Sequence, residues 1–521
     1  MKSAMLFVFL LGVIVPGATR ASTGIAFVPL DDRPVTRQLP QLLGKIAGVI
    51  VSMPPRVELG RYLHFGEPQA ITDWLNSPQT DGVGAYIVST DMLAYGGLVA
   101  SRVPGVSAGL AISRLRELEV LRAHHPHAWI AAFGTIMRLA PTGVPAIGPG
   151  KDFFAAYPAW SYVQQYANLH DPPLPSENAT AAHLRELLGP TLEAYLAARA
   201  RNRDADAWVL RMTADDTINR VVLGQDDAGP VGLHLRDVAA LKRISSTYRL
   251  GDRVSIEPGA DELGMALVAH ALARSIGWIP RIGVRYSTAS GAQYNDPLEF
   301  APISTAIASL IRLCGAVQVE DTPDITLYVR VPQTQPLQDQ GLLGRMSADV
   351  AENRSVAFAD LSFLSGGFAP QAAFAESLMR AGIAGKIDAY ASWNTNANTV
   401  GTALAESIAA GVGRRSGHYN PVAHAEFTLN RYIDDYAFHD YVRPNLNDEL
   451  NLRGVKDHTL LLPGEAFRTD HQNRAALWRR ALAVLAAVYP QYEDSGLTIT
   501  LPWDRTFETQ IDLRLSPGIS R

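Results

Sequence analysis

Residues 85–97 read AYIVSTDMLAYGG: a short apolar stretch, then Ser89, Thr90 and Asp91, then a glycine pair. Apolar residues without alternation, ending abruptly in polar ones, are how a strand buried on both faces of a parallel sheet reads. The shape recurs in GIAFVPLDDRP (24–34), AWIAAFGTIMR (128–138), DAWVLRMTADD (206–216), RVSIEPGADE (253–262) and RIGVRYS (281–287). Between these runs lie helical patterns. AISRLRELEVLRAHHP (111–126) puts Ala111, Leu115, Leu118 and Leu121 on one face, and a further helix should begin after Glu262. Strands alternating with helices predict an α/β chain of parallel-strand βα units, either a (β/α) barrel-like domain or a doubly wound sheet. Both architectures bind ligands at the carboxyl ends of their strands.

The rhythm continues in DITLYVRVPQ (324–333), SVAFADLSFLSGG (355–367) and KIDAYASWNTNANTVGTALA (386–405). These predict a second α/β domain, with TQPLQDQG (334–341) as a loop. RAALWRRALAVLAAVYP (474–490) reads as a helix and ITLPWDRTFETQIDLRL (499–515) as a strand pair. The expected organisation is an N-terminal α/β domain over 22–286, a second over 287–425, and a small C-terminal helical region with terminal strands over 426–521. Residues 1–21 read as a cleavable secretory signal: Lys2, an apolar stretch from Met5 to Val15, then Pro16-Gly17 and small residues to Ala21. That stretch is well short of the ~20 residues of a membrane span. The expectation is an exported protein, periplasmic or extracellular, without membrane insertion.

The 521 residues are 47% hydrophobic and 19% charged with a formal net charge of -5, enough apolar material for a large core. No basic surplus favours a nucleic-acid backbone as partner. One cysteine, Cys314, allows no internal disulfide. In IASLIRLCGAV it reads as an inert thiol at a helix end or in the core. HExxH, paired CxxC and Walker sequences do not occur. The 13 histidines are dispersed, so a zinc site is not expected, and no cofactor is.

Acidic doublets dominate the chemistry on offer: Asp31-Asp32, Asp215-Asp216, Asp226-Asp227, Asp261-Glu262 and Asp434-Asp435. Neighbouring carboxylates repel, so one keeps its proton or a cation or donors hold the pair. A proton donor beside an anion is the requirement of acid/base hydrolysis. Each doublet also has a structural reading. Asp261 could cap the helix that follows, with Glu262 in its first turn. Asp31, Asp32 and Arg33 could form a local ion pair before Pro34. Asp434-Asp435 reads as solvated or structural. If WVLRM is a buried strand, Asp215 and Asp216 leave its carboxyl end, and the loop LGQDDAGPVG bends Asp226 and Asp227 over the same end. Catalytic candidates are therefore Asp215, Asp216, Asp227 and Glu262.

For binding, SWNTNANTVGT (392–402) offers Trp393, Asn394, Asn396 and Asn398: amides for hydroxyl groups and an indole face for a sugar ring. Its structural alternative is a helix start capped by Asn398 or Thr399. Asp91 and Tyr95 stand beside Gly96-Gly97, where backbone can approach a ligand. Asp31, Asp32, Arg33, Asp226 and Asp261 complete the set. Asp31, Asp91, Asp215, Asp227 and Glu262 should converge on one cleft, bordered by Trp393 and at least one of the asparagines.

Taken together, PLDDRPV, STDMLAYGGLVASR, LGQDDAGPVG, PGADE and SWNTNANTVGT resemble the bacterial family DUF4127. The resemblance runs from Ala26 to PWDRTFE at 502–508. It implies a shared fold and a shared polar site; no reaction comes with it. The residues themselves fit best an exported carbohydrate-active hydrolase of glycosidase type, using paired carboxylates on a small-molecule or oligosaccharide substrate. Two alternatives draw on the same side chains: a phosphate or ester hydrolase with Asp31, Asp32, Asp226 and Asp227 gripping a divalent cation such as Ca²⁺ or Mg²⁺, and a sugar-binding protein without catalysis.

Overall fold

A computed structural model describes residues 24–141, 157–296, 299, 301–362 and 370–518. The signal reading of 1–21 lies outside the described residues. The chain forms two parallel sheets. The first comprises β1 (Gly24–Val28), β2 (Ile50–Ser52), β3 (Ala85–Ser89), β4 (Trp129–Ile136), β5 (Arg220–Gln225) and β6 (Val254–Pro258), in the order β2-β1-β3-β4-β5-β6. The second comprises β7 (Arg281–Tyr286), β8 (Val317–Gln318), β9 (Ile325–Arg330), β10 (Ser355–Asp360) and β11 (Ala389–Ala391), in the order β11-β10-β9-β7-β8. In the first sheet β2 and β6 are the end strands, so the doubly wound reading describes it, and barrel closure is not seen among the described pairings.

Alternation of side chains across the strands sends each sheet's two faces into different cores. Ile25 and Phe27 of β1 and Ile87 of β3 pack on one side of the first sheet, whereas Ala26, Val28, Tyr86 and Val88 pack on the other. The first of these cores also receives Leu327 and Val329 of β9 and Ala357 and Ala359 of β10. The two sheets thus share one inner layer of helices, built from Leu39–Ala47, Leu263–Ser275, Ile303–Leu313 and Asn396–Ser416. Ala, Gly and Ser at many positions of Asn396–Ser416 allow it to be buried almost throughout. A fully buried Leu or Phe in this layer contributes roughly 1.5–3 kcal/mol.

The strand expected over 206–216 is the C-terminal part of a 25-residue helix, Pro190–Ala214. Its buried positions Leu192, Tyr195, Arg199, Asn202, Ala205 and Val209 recur at helical spacing, a period the short window around WVL conceals. The true strand is the next apolar run, RVVLGQ. The strand at 281–286, grouped with the first domain in the sequence, pairs with β8 and β9 in the second sheet. TQPLQDQG opens a helix, Pro336–Ala351, where Gln338 Oε1 accepts a 2.9 Å hydrogen bond from Gln335 N. The helix expected over 111–126 is present in two pieces, Ala108–Leu115 and Glu117–His124, with Ala111, Leu115, Leu118 and Leu121 buried as expected. Cys314 is buried at the end of Ile303–Leu313, and burial pushes its thiol up to about 12.

After the helix Pro463–Val488, four short strands complete the chain: β12 (Tyr492–Asp494), β13 (Thr498–Thr500), β14 (Gln510–Asp512) and β15 (Leu515–Pro517). β13 pairs with β14 and β12 with β15, both antiparallel, so the strand pair read from 499–515 is present. The loop from Leu501 to Thr509 is thereby carried back to the end of β1. Among the described residues no helix is long and apolar enough to cross a membrane.

Candidate functional site

Strand order in the first sheet reverses between β1 and β3, the crevice where doubly wound sheets bind ligands. Arg33 lies just beyond β1. Its ψ of 153° is the extended conformation imposed on a residue preceding proline. The guanidinium is 6% exposed and is gripped from two sides. Nε and Nη2 donate to Asp31 at 2.8–3.0 Å, and Nη1 and Nη2 donate to Asp261 at 3.0 and 2.6 Å. Two forked carboxylate contacts fix the plane of Arg33 and tie the end of β1 to the end of β6. Burial pushes Asp261 up to about 6 even though Arg33 pulls it down.

Asp32 faces the other way. It accepts from Trp503 Nε1 at 2.6 Å and from Arg56 Nε at 3.0 Å. Burial raises its pKa against both donors. The Trp503 bond spans 471 positions and anchors the C-terminal loop over the sheet. Arg33 and Arg505 lie 4.9 and 4.5 Å from the Trp503 ring centre, and Tyr62 stacks on it at 5.1 Å. Arg505 is also held by Glu508 through Nε at 2.8 Å and Nη2 at 2.6 Å.

Beyond β5, Asp226 pairs with Arg102, and Asp227 with Arg138 at 3.2 Å. Asp227 is the more open of the two, with 37% of its side chain exposed. Burial and the adjacent Asp226 raise its pKa, against the pull of Arg138 and Arg102.

The second sheet supplies the opposite wall. The helix Asn396–Ser416 starts immediately beyond β11, and Glu299 Oε1 accepts a 2.6 Å hydrogen bond from Ala397 N in its first turn. This long-range carboxyl serves the helix terminus in place of the expected Asn398 or Thr399 side chain. Glu299 Oε2 is buried without a hydrogen-bond partner. Burial pushes Glu299 up to about 8, so it holds its proton at neutral pH.

These groups enclose a cleft of about 750 Å³ between the sheets and the C-terminal loop. Its acids are Asp226, Asp227, Asp261, Glu299 and Asp457; its cations are Arg33, Arg102, Arg138, Arg443 and Arg505. Asn394, Thr395, Asn398, Ser161 and Gln164 supply amides and hydroxyls, and Tyr62, Trp160, Trp503 and Phe507 supply aromatic surface. Such a lining can hold a polar, hydroxyl-rich molecule and move protons on it. Among the described residues no group of three or more His, Cys, Asp or Glu side chains is placed to hold a metal ion.

A family model described as a protein of unknown function, DUF4127, matches residues 25–512. The chain belongs to the DUF4127 family. No curated protein and no solved structure matches it.

Of the residues singled out in this DUF4127 sequence, Arg33, Asp226, Asp227, Asp261, Asn394 and Asn398 line the cleft. Asp31 and Asp32 lie one layer behind, holding Arg33 and Trp503. Asp91 is also behind it: Oδ2 accepts from Thr135 N at 2.8 Å, and burial pushes it up to about 6. Tyr95 is buried beneath Arg201, whose guanidinium is 4.4 Å from its ring centre, and it does not reach the cleft.

Other expected site residues lie away from the cleft. Asp215 and Asp216 follow a helix, at the end of the sheet opposite the cleft, and their side chains are 67% and 85% exposed. Glu262 is wholly buried between Gly259 and Gly401, where burial pushes its carboxyl well above the usual range, and it does not line the cleft. Trp393 is core, 4% exposed and donating from Nε1 to Thr402 Oγ1 at 3.4 Å. Asn396 is buried in the first turn of its helix. The Asp434-Asp435 doublet is structural: Arg431 bonds both, and Asp435 Oδ2 accepts from Ser392 N at 2.8 Å just beyond β11.

The sequence reading missed Glu299, Trp160, Trp503, Phe507 and the arginines other than Arg33. Trp503, Arg505 and Phe507 belong to PWDRTFE, where a charged and aromatic cluster between two short strands was the available signal. Arg102 ends the quoted STDMLAYGGLVASR stretch. Glu299, in a segment without periodicity, gave none.

Proposed function

We propose that this protein is an exported carbohydrate-active hydrolase, with Glu299 as proton donor and Asp227 as ionised partner. The observation that carries this reading is a proton-holding carboxyl in the wall of the same cleft as an accessible carboxylate held by a guanidinium. Glycoside hydrolysis needs one carboxyl that holds its proton and a second that can take one up, and Arg138 beside Asp227 favours the ionised form there. Asn394 and Asn398 suit sugar hydroxyls, and Trp503 and Tyr62 offer ring faces. In this scheme Glu299 gives its proton to the glycosidic oxygen as the C–O bond breaks. A water molecule supplies the new C–O bond at the anomeric carbon, and its proton passes to Asp227. Export rests on the apolar segment Met5–Val15 behind Lys2.

The cation-dependent alternative is less well supported. Asp31, Asp226 and Asp227 each already face an arginine, and Asp32 faces Arg56 and Trp503. A sugar-binding protein without catalysis would use Glu299 only to hold the start of the helix Asn396–Ser416 and to bond a ligand hydroxyl. Glu299→Gln decides between these readings. It should lower hydrolysis of an unactivated glycoside roughly 10²–10⁴-fold while partly sparing a substrate with a good leaving group. Equal, undiminished activity on both substrates would remove Glu299 as the donor. A wild-type protein that binds sugars and hydrolyses none would leave the binding reading.

A further inference from the structure

Four of the five arginines among the described cleft residues are matched by carboxylates: Arg33 by Asp31 and Asp261, Arg102 by Asp226, Arg138 by Asp227 and Arg505 by Glu508. Arg443 is different. It opens the helix Arg443–Leu452, lies 5.3 Å from the Phe507 ring centre, and forms no ion pair with a described residue. The nearest acids are committed elsewhere, Glu508 to Arg505 and Asp434 to Arg431. Its Nε is buried without a hydrogen-bond partner. Burial presses hardest against its cationic form and Arg505 adds to that, while the charges of Glu508 and Asp434 offset it only in part. A guanidinium stays charged nonetheless, so the wall carries a half-buried cation without an anion, an arrangement that costs free energy until an anion arrives.

We propose that the ligand of the cleft carries an anionic group, a carboxylate or a phosphate, which docks on Arg443 beside Phe507. A planar guanidinium fork matches either oxyanion through paired hydrogen bonds, and the ring restricts the side of approach. The inference rests on the carbohydrate reading and narrows it to acidic sugars, a uronic acid or a sugar phosphate. Glu299 cannot serve as the missing anion, because burial keeps it neutral at pH 7.

The test is calorimetric binding of the full protein to glucuronate, glucose 6-phosphate and glucose, with acetate and inorganic phosphate alongside. One acidic sugar should bind roughly 10–100-fold more tightly than glucose, the scale of charge-assisted hydrogen bonds, and which one does so identifies the anion. Arg443→Gln should abolish that preference, and Arg443→Lys should keep part of it. Equal affinity for acidic and neutral sugars, or an Arg443→Gln protein that retains the preference, overturns the anion inference and leaves the sugar reading intact. Acetate or phosphate binding that depends on Arg443, with no sugar bound, supports the anion site and overturns the sugar reading. Absence of binding by every probe overturns the inference.

Discussion

Replacing Glu299 by Gln should change how stability depends on pH. The amide oxygen of Gln can keep the 2.6 Å bond from Ala397 N, so the helix Asn396–Ser416 retains its capping acceptor. The variant lacks only the titrating proton. In the folded chain burial holds that proton up to about 8, whereas the ordinary carboxyl releases it near 4.5. Between those values the unfolded chain binds fewer protons than the folded one. The wild type therefore has the full benefit of this group below about pH 4.5 and loses it as the pH rises toward 8. Each pH unit inside the window corresponds to about 1.4 kcal/mol, so from pH 5 to pH 7.5 the loss is on the order of 3 kcal/mol. Groups common to both proteins cancel in the comparison. Measured by urea unfolding, the stability of Glu299→Gln relative to wild type should rise by about that amount between the two pH values, without a change in m. A difference that stays constant to within about 0.5 kcal/mol would mean that Glu299 is ionised in the fold, and the proposed proton donor would be lost with it.

Asp215→Asn and Asp216→Asn, at exposed positions paired only with Arg211 and Arg253, should alter stability by less than about 0.5 kcal/mol and leave ligand binding unchanged; a clear loss of binding would contradict their placement away from the cleft. Trp503→Phe removes the donor to buried Asp32 and should cost about 1–3 kcal/mol in thermal or urea unfolding while loosening the cleft loop. Gly259→Ala should be more damaging than an ordinary Gly→Ala change, because φ is +88° and a Cβ would lie 2.3 Å from Glu262 Oε1. Soluble expression and the unfolding midpoint report that effect, and a variant as stable as wild type would contradict this packing.

The class of fold and much of the list of polar residues were legible in the amino-acid pattern. Apolar runs such as GIAFV and AYIVS sit in parallel strands buried on both faces, and that burial is encoded locally, as a lack of alternation. The acids following β1, β3, β5 and β6 were placed at one end because parallel strands end on one side. Local pattern fails where helix and strand share composition: WVL belonged to a helix, and that one reassignment moved Asp215-Asp216 to the opposite end of the sheet. Tertiary structure alone decided which acids reach the cleft. Asp31 and Glu262 have the same local context as Asp227, yet one is tied to Arg33 and the other is buried against Gly401. It also brought Trp503 to Asp32 across 471 positions and Glu299 to Ala397 across 98. Such partnerships depend on how two sheets share a layer of helices and on where the C-terminal loop lands, and the charge state of each carboxyl follows from the burial and the guanidinium groups that this packing supplies.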